Sequence, residues 1–110
     1  MEPQEFIVVL TNLPDRPAAL KLADALVQRR LAACVNIIDG CTSVYLWQGK
    51  IESQRELPLL IKTRSALFPE VERLIRELHP YELPEIVAVP VQAGSAAYLS
   101  WLADATGEPV

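Results

Sequence analysis

The sequence is short of the residues from which metal and redox centres are usually built. Its 110 residues include one histidine, His79, and two cysteines, Cys34 and Cys41. No C-x-x-C, H-x-H or H-E-x-x-H spacing occurs, so no zinc or copper ligand set can be read from motif alone. Glycine is scarce as well, at 4 residues. With no G-x-G-x-x-G, Walker or G-x-S-x-G motif, the phosphate-loop, dinucleotide and serine-hydrolase readings have no support, and no enzymatic reaction is specified. Positive charge is in deficit: 10 Lys and Arg face 14 Asp and Glu, and the basic residues are scattered. That balance disfavours nucleic acid and anionic membranes as partners. No segment approaches the ~18 apolar residues of a membrane span, and MEPQEFIVVLTN lacks a basic leader region, so a cytoplasmic location is expected. Cys34 and Cys41 stand in strand-like sequence, roughly 20 Å apart at ~3.3 Å per residue, and are expected to be reduced thiols.

What is present is apolar sequence, 51% of the chain, enough for residues 1–110 to fold as one domain without staples. EFIVVLTN (5–12) reads as a buried strand. Asp15 and Pro17 then open a helix with Ala18, Ala19, Leu22, Ala23, Leu26 and Val27 on one face and Arg29 and Arg30 in its last turn. From Ala32 to Thr63 the helical period is lost. A long β-hairpin is expected there, turning at Gln48-Gly49, bent near Asp39-Gly40 and irregular at Pro58. Ser65 is expected to cap a second helix, which Pro80 ends at His79. EIVAVPV (85–91) reads as a strand and SAAYLSWLADATG (95–107) as a final helix. The order β-α-β-β-α-β plus a terminal helix predicts an α+β, ferredoxin-like antiparallel sheet.

The hairpin is too long for such a sheet. Arms of about 15 residues reach roughly 50 Å, whereas a 14-residue helix spans about 21 Å. The overhang carries Val44, Tyr45, Leu46, Trp47 and Ile51, so an oligomer assembled through the hairpin is expected.

Among polar candidates, His79 is either a helix C-cap or a metal ligand or proton-transfer group. Its replacement by alanine is expected to leave folding nearly intact. Tyr81 and Glu82 follow Pro80 on a stiff turn that suits a binding pocket, although both also fit ordinary packing and solvation. Cys34 is a small core residue, a soft metal ligand or a nucleophile. Lys62, in the apolar run LPLLIKT, either snorkels to solvent or aims a cation into a pocket. Trp47, beside the hairpin turn, suits an interface anchor.

AACVNII (32–38), SVYLWQGKI (43–51), ELPLLIKT (56–63), HPYELPEI (79–86) and YLSWL (98–102) together resemble the CutA family of divalent-cation tolerance proteins. The resemblance runs through nearly the whole chain in order. It implies a ferredoxin-like subunit in a PII-like homotrimer whose hairpins join subunit edges, and a role in the response to divalent metal ions, copper especially. His79 matches the histidine to which copper binding has been attributed, with Glu82 as a second candidate ligand. Two further proposed ligand positions are here Leu78 and Thr11. Cys34, Trp47, Lys62 and Tyr81 match shared positions expected at an inter-subunit cleft. The alternative is a PII-like signalling or scaffold trimer that binds a small anionic ligand through Lys62, or a protein partner.

Overall fold

The computed structural model describes residues 5–107; residues 1–4 and 108–110, part of the domain and N-terminal readings above, lie outside them. The chain runs β1 (Phe6–Leu13), α1 (Arg16–Gln28), β2 (Cys34–Ile37), β3 (Cys41–Trp47), β4 (Lys50–Arg64), α2 (Phe68–Leu78), β5 (Val87–Pro90) and α3 (Ala96–Ala105). The sheet order is β2-β4-β1-β5, with β3 also paired to β4 and every pairing antiparallel. This is the α+β fold that the element order implies.

The sheet has five strands rather than four because one hairpin arm is broken. At the break Gly40 takes φ +109° and its N–H donates to the Ile38 carbonyl at 2.8 Å. A side chain at Gly40 would collide with the Arg55 guanidinium, which donates to the Asp39 carbonyl at 3.3 Å. The other arm, β4, runs unbroken for 15 residues. One edge of β4 therefore serves two partners in turn, β3 along Lys50 to Glu56 and β2 along Leu59 to Lys62. Pro58 sits at the handover, so its missing N–H costs no ladder bond, while its carbonyl accepts from Ile38 N–H at 2.8 Å. At the far end Gln48 (φ +50°) and Gly49 (φ +80°) make the tight left-handed turn expected of a two-residue hairpin loop.

The strand period divides the sheet into two faces. Ile7, Val9, Leu13, Leu57, Leu59 and Ile61 point toward the helices and pack on Leu22 and Leu26 of α1 and on Val71, Leu74 and Ile75 of α2. Each such side chain contributes about 1.5–3 kcal/mol by leaving water. The opposite face is covered at one end only, where Leu99 and Leu102 of α3 close over Phe6. Beyond α3, Val87 and Val89 of β5 stay about half exposed beside Leu10 and Val8.

The helix boundaries differ from the sequence reading in two places. Asp15 caps α1 as expected, accepting from Ala18 N–H at 2.9 Å, but the helix ends at Gln28. Arg30 lies past the end with φ +58°. Its guanidinium instead satisfies the carbonyls of Asp104 and Gly107 at the end of α3, at 2.7 and 2.8 Å, the usual use of a basic side chain at a helix C-terminus. Ser65 does not cap α2. It opens a 3-10 turn, Ser65–Leu67, and α2 begins at Phe68 with Pro69 in the first turn, where no N–H is needed.

Thr11, fully buried on the helix-facing side, has a hydroxyl with no hydrogen-bond partner. Such a group costs stability, so Thr11→Val is predicted to raise the stability by about 1 kcal/mol, read from the urea midpoint. A loss of that size would show that the hydroxyl is satisfied.

Candidate functional site

An open cleft of about 940 Å³ lies between the hairpin and the segment 80–85. Its floor follows from the two-residue period of β3. Ser43, Tyr45 and Trp47 project to one side, and Gln54 and Glu56 of β4 share that side by cross-strand pairing, Ser43 with Gln54 and Cys41 with Glu56. Tyr45 donates to Gln54 Oε1 at 2.7 Å. The wall is HPYELPE, where Pro80 and Pro84 stiffen the backbone and Tyr81, Glu82 and Glu85 face the opening.

A chain of hydrogen bonds ties wall to floor. His79 caps α2, its backbone N–H donating to the Ile75 carbonyl at 2.8 Å, and the residue is 7% exposed. Nδ1 accepts from the Tyr81 backbone N–H at 3.1 Å. The proton must therefore sit on Nε2, which donates to the Asn12 carbonyl at 2.6 Å. The Tyr81 ring lies 4.7 Å from that of His79, and its hydroxyl donates to Glu56 Oε2 at 2.9 Å. Asn12 returns on the other side, its amide donating to Glu85 Oε1 at 3.2 Å. Burial, and then the hydrogen bond to Glu56 and its negative charge, hold the Tyr81 phenol well above the ordinary tyrosine range.

The cleft brings together Trp47, Tyr81 and Glu82, with His79 directly behind Tyr81. Within one subunit it does not include Cys34 or Lys62. These two pair with each other across β2 and β4, toward the opposite end of the sheet, where Lys62 Nζ stands 5.9 Å over the Tyr98 ring. His79 presents no free ring nitrogen, and a metal ion taken there would have to break one of its two bonds. Among the described residues no three His, Cys, Asp or Glu side chains converge as a metal set. Leu78 and Thr11 supply no comparable donors. Both cysteines are free thiols.

Glu56 and Asn12 are not singled out by the sequence reading, which places Tyr45 only among the apolar residues of the overhang. Glu56 had a signal: it is the one acid at the head of an otherwise apolar run. Tyr45 shares the period-two face of Trp47. Asn12 works largely through its backbone carbonyl, which no residue identity reveals.

Residues 7–105 match the family described as CutA1 divalent ion tolerance protein. The divalent-cation tolerance protein CutA of Thermus thermophilus is 49% identical over 100 residues, 91% of this chain and 97% of that protein. The chloroplastic protein CutA of Arabidopsis thaliana is 46% identical over 91% of this chain, which spans 55% of that longer relative. A solved divalent cation tolerance protein (Cut A1) from Thermus thermophilus superimposes with a TM-score of 0.91 at 48% identity, covering 93% of this chain and 99% of that one.

The geometry reverses the expectation that His79 is dispensable for folding. His79→Ala leaves a part-buried carbonyl and a part-buried N–H without their imidazole partner, and is predicted to cost about 2 kcal/mol in urea unfolding. A change under about 0.5 kcal/mol would contradict the hydrogen-bond assignment. Ultraviolet titration should show one phenol, that of Tyr81, still protonated above the ordinary tyrosine range, near pH ~10. Because the folded pKa of Tyr81 is raised, its contribution to stability is present below the unfolded value and is lost as pH rises past it. Tyr81→Phe should abolish the late phenol and soften the alkaline loss of stability.

Proposed function

The chain belongs to the CutA1 divalent ion tolerance family, and on that premise we propose that it acts in divalent-cation tolerance as a homotrimer whose subunits meet along the hairpin and its cleft. The observation that carries this reading is that Val44 (67%), Leu46 (70%) and Ile51 (78%), three of the four most exposed large apolar side chains among the described residues, stand on the strands that carry the cleft. Isolated domains avoid such patches on open strands, because apolar area and unpaired backbone groups both drive association. The half-exposed Val87 and Val89 extend the uncovered apolar surface on the sheet face away from α1 and α2.

The charge of the cleft supports a cationic rather than an anionic occupant. Glu56, Glu82 and Glu85 line it and, among the described residues, no Lys or Arg does. The second reading, a PII-like trimer that holds a small anion through Lys62, is less well supported, since Lys62 lies against α3. Copper or another divalent ion is proposed to bind weakly at the carboxylates, Glu82 among them, with His79 positioning Tyr81. The ring of His79 does not fit a dedicated copper site, both its nitrogens being engaged. The role proposed is binding and response rather than catalysis.

Sedimentation equilibrium is expected to give about three times the 12.2 kDa chain mass, and Leu46→Glu with Ile51→Glu to lower it. A monomeric wild type would contradict the assembly. Calorimetric titration of metal-stripped protein with Cu(II) and Zn(II) should show weak saturable binding reduced by Glu82→Gln. Binding that this substitution leaves unchanged would remove the cleft as the metal site.

A further inference from the structure

We infer that Asn12 is the positioning residue of the cleft wall. It latches segment 79–85 at both ends, by its carbonyl to His79 and by its side chain to Glu85, and so sets where Tyr81, Glu82 and Glu85 stand. The inference rests on the reading above only for what the wall holds, a divalent cation, and assigns the residue that presents the carboxylates.

The register of β1 explains how one residue makes both bonds. Asn12 lies opposite Pro58, which has no N–H and whose carbonyl is turned away to Ile38. The two form a pair that exchanges no ladder bonds, so the Asn12 carbonyl points to the other edge of β1, where β5 runs. The β5 ladder ends at Val87 opposite Leu10, two residues short of Asn12. The carbonyl left over takes the His79 Nε2–H at 2.6 Å. Continued by two residues, the same register sets Glu85 opposite Asn12 with both side chains on one face. There the amide donates to Glu85 Oε1 at 3.2 Å. An ionised carboxylate only accepts, so the amide nitrogen is necessarily the donor.

Residues 79–86 belong to no helix or strand, so side-chain bonds rather than a ladder place them. Tyr81 is fixed through its hydroxyl on Glu56, and Asn12 fixes the two ends. Glu82 stands between these anchors. A carboxylate held in this way binds without first being ordered, which is what an outer hydrogen-bond partner contributes to metal affinity. Every one of these bonds lies within one chain, so none depends on what a neighbouring subunit places across the cleft.

The test is backbone NMR relaxation of the metal-free, assembled, full-length protein, with Zn(II) calorimetry on the same samples. Glu82, Leu83 and Glu85 are expected to be rigid, with order parameters near ~0.85, and to fall below ~0.6 in Asn12→Ala while α1 and β4 stay unchanged. The alanine variant keeps the backbone carbonyl, so the His79 ring keeps its tautomer, read from its nitrogen shifts. Zn(II) affinity is expected to fall about three- to tenfold, the low end for an outer partner because the Asn12–Glu85 bond is exposed. Asn12→Asp alone sets two carboxylates face to face and should loosen the segment as well. Combined with Glu85→Gln it exchanges donor and acceptor at unchanged net charge, and the order is expected to return, a rescue that a merely structural role does not give. Circular dichroism confirms that each variant is folded. Order unchanged in Asn12→Ala, failure of the exchanged pair to restore it, or Zn(II) affinity unaffected while order falls would each overturn the inference. A wild type that binds no Zn(II) defeats the earlier reading instead, and the relaxation results still decide this one.

Discussion

The length of β4 is the constraint on which the rest of the structure depends. Fifteen residues of strand reach about 50 Å, while the 13 residues of α1 reach about 20 Å. The C-terminal half of β4 lies between β1 and β2, and its odd-numbered side chains fill the core. The N-terminal half has only β3 beside it and no helix beneath it, which draws the molecule out to 47 × 26 × 24 Å. A two-stranded ribbon is at best marginal in water. This one is long, apolar at Val44, Leu46 and Ile51, and open along an edge. Association between copies is the economical resolution of that conflict.

The overhang also makes the cleft. Without it Tyr45, Trp47 and Gln54 would have no strand to stand on, and segment 80–85 would face solvent. The connection between the two is the path from Asn12 through His79 and Tyr81 to Glu56, which joins β1, the end of α2 and the root of the hairpin. His79 is the hinge of that path, fixed in one tautomer by a donor on one side and an acceptor on the other. A side chain held in this way positions its neighbours well and coordinates metal poorly. The proposed assembly and the cleft both depend on the same strand, so a change in one is expected to be felt in the other.

Much of this was legible in the sequence, because strand and helix periods are local. β1, α1, the turn at Gln48-Gly49 and the bend at Gly40 follow from spacing and from residues that tolerate positive φ. The stop at His79 follows from Pro80. Arg30 and Ser65 were misplaced for tertiary reasons: the first leaves its own helix to close α3, and the second yields to a start at Phe68 in which Pro69 makes a cap unnecessary. The site was legible in part. Trp47, Tyr81 and Glu82 line one cleft, whereas within one subunit Lys62 and Cys34 are carried toward the far end of the sheet by the register of β2 on β4. The two bonds of the His79 ring were hidden because one partner is a backbone carbonyl 67 residues away. Glu56 depends on the same long-range closure.

The central claim is that the overhanging hairpin is held by contact between copies rather than by its own subunit. Amide hydrogen exchange across residues 41–56, measured above and below the concentration at which the protein assembles, tests it directly. Protection of the hairpin that rises with assembly, while α1 and α2 stay unchanged, is the predicted result. Hairpin amides equally protected in the dissociated, folded chain would show that the ribbon stands on its own, and the account built on its overhang would fail.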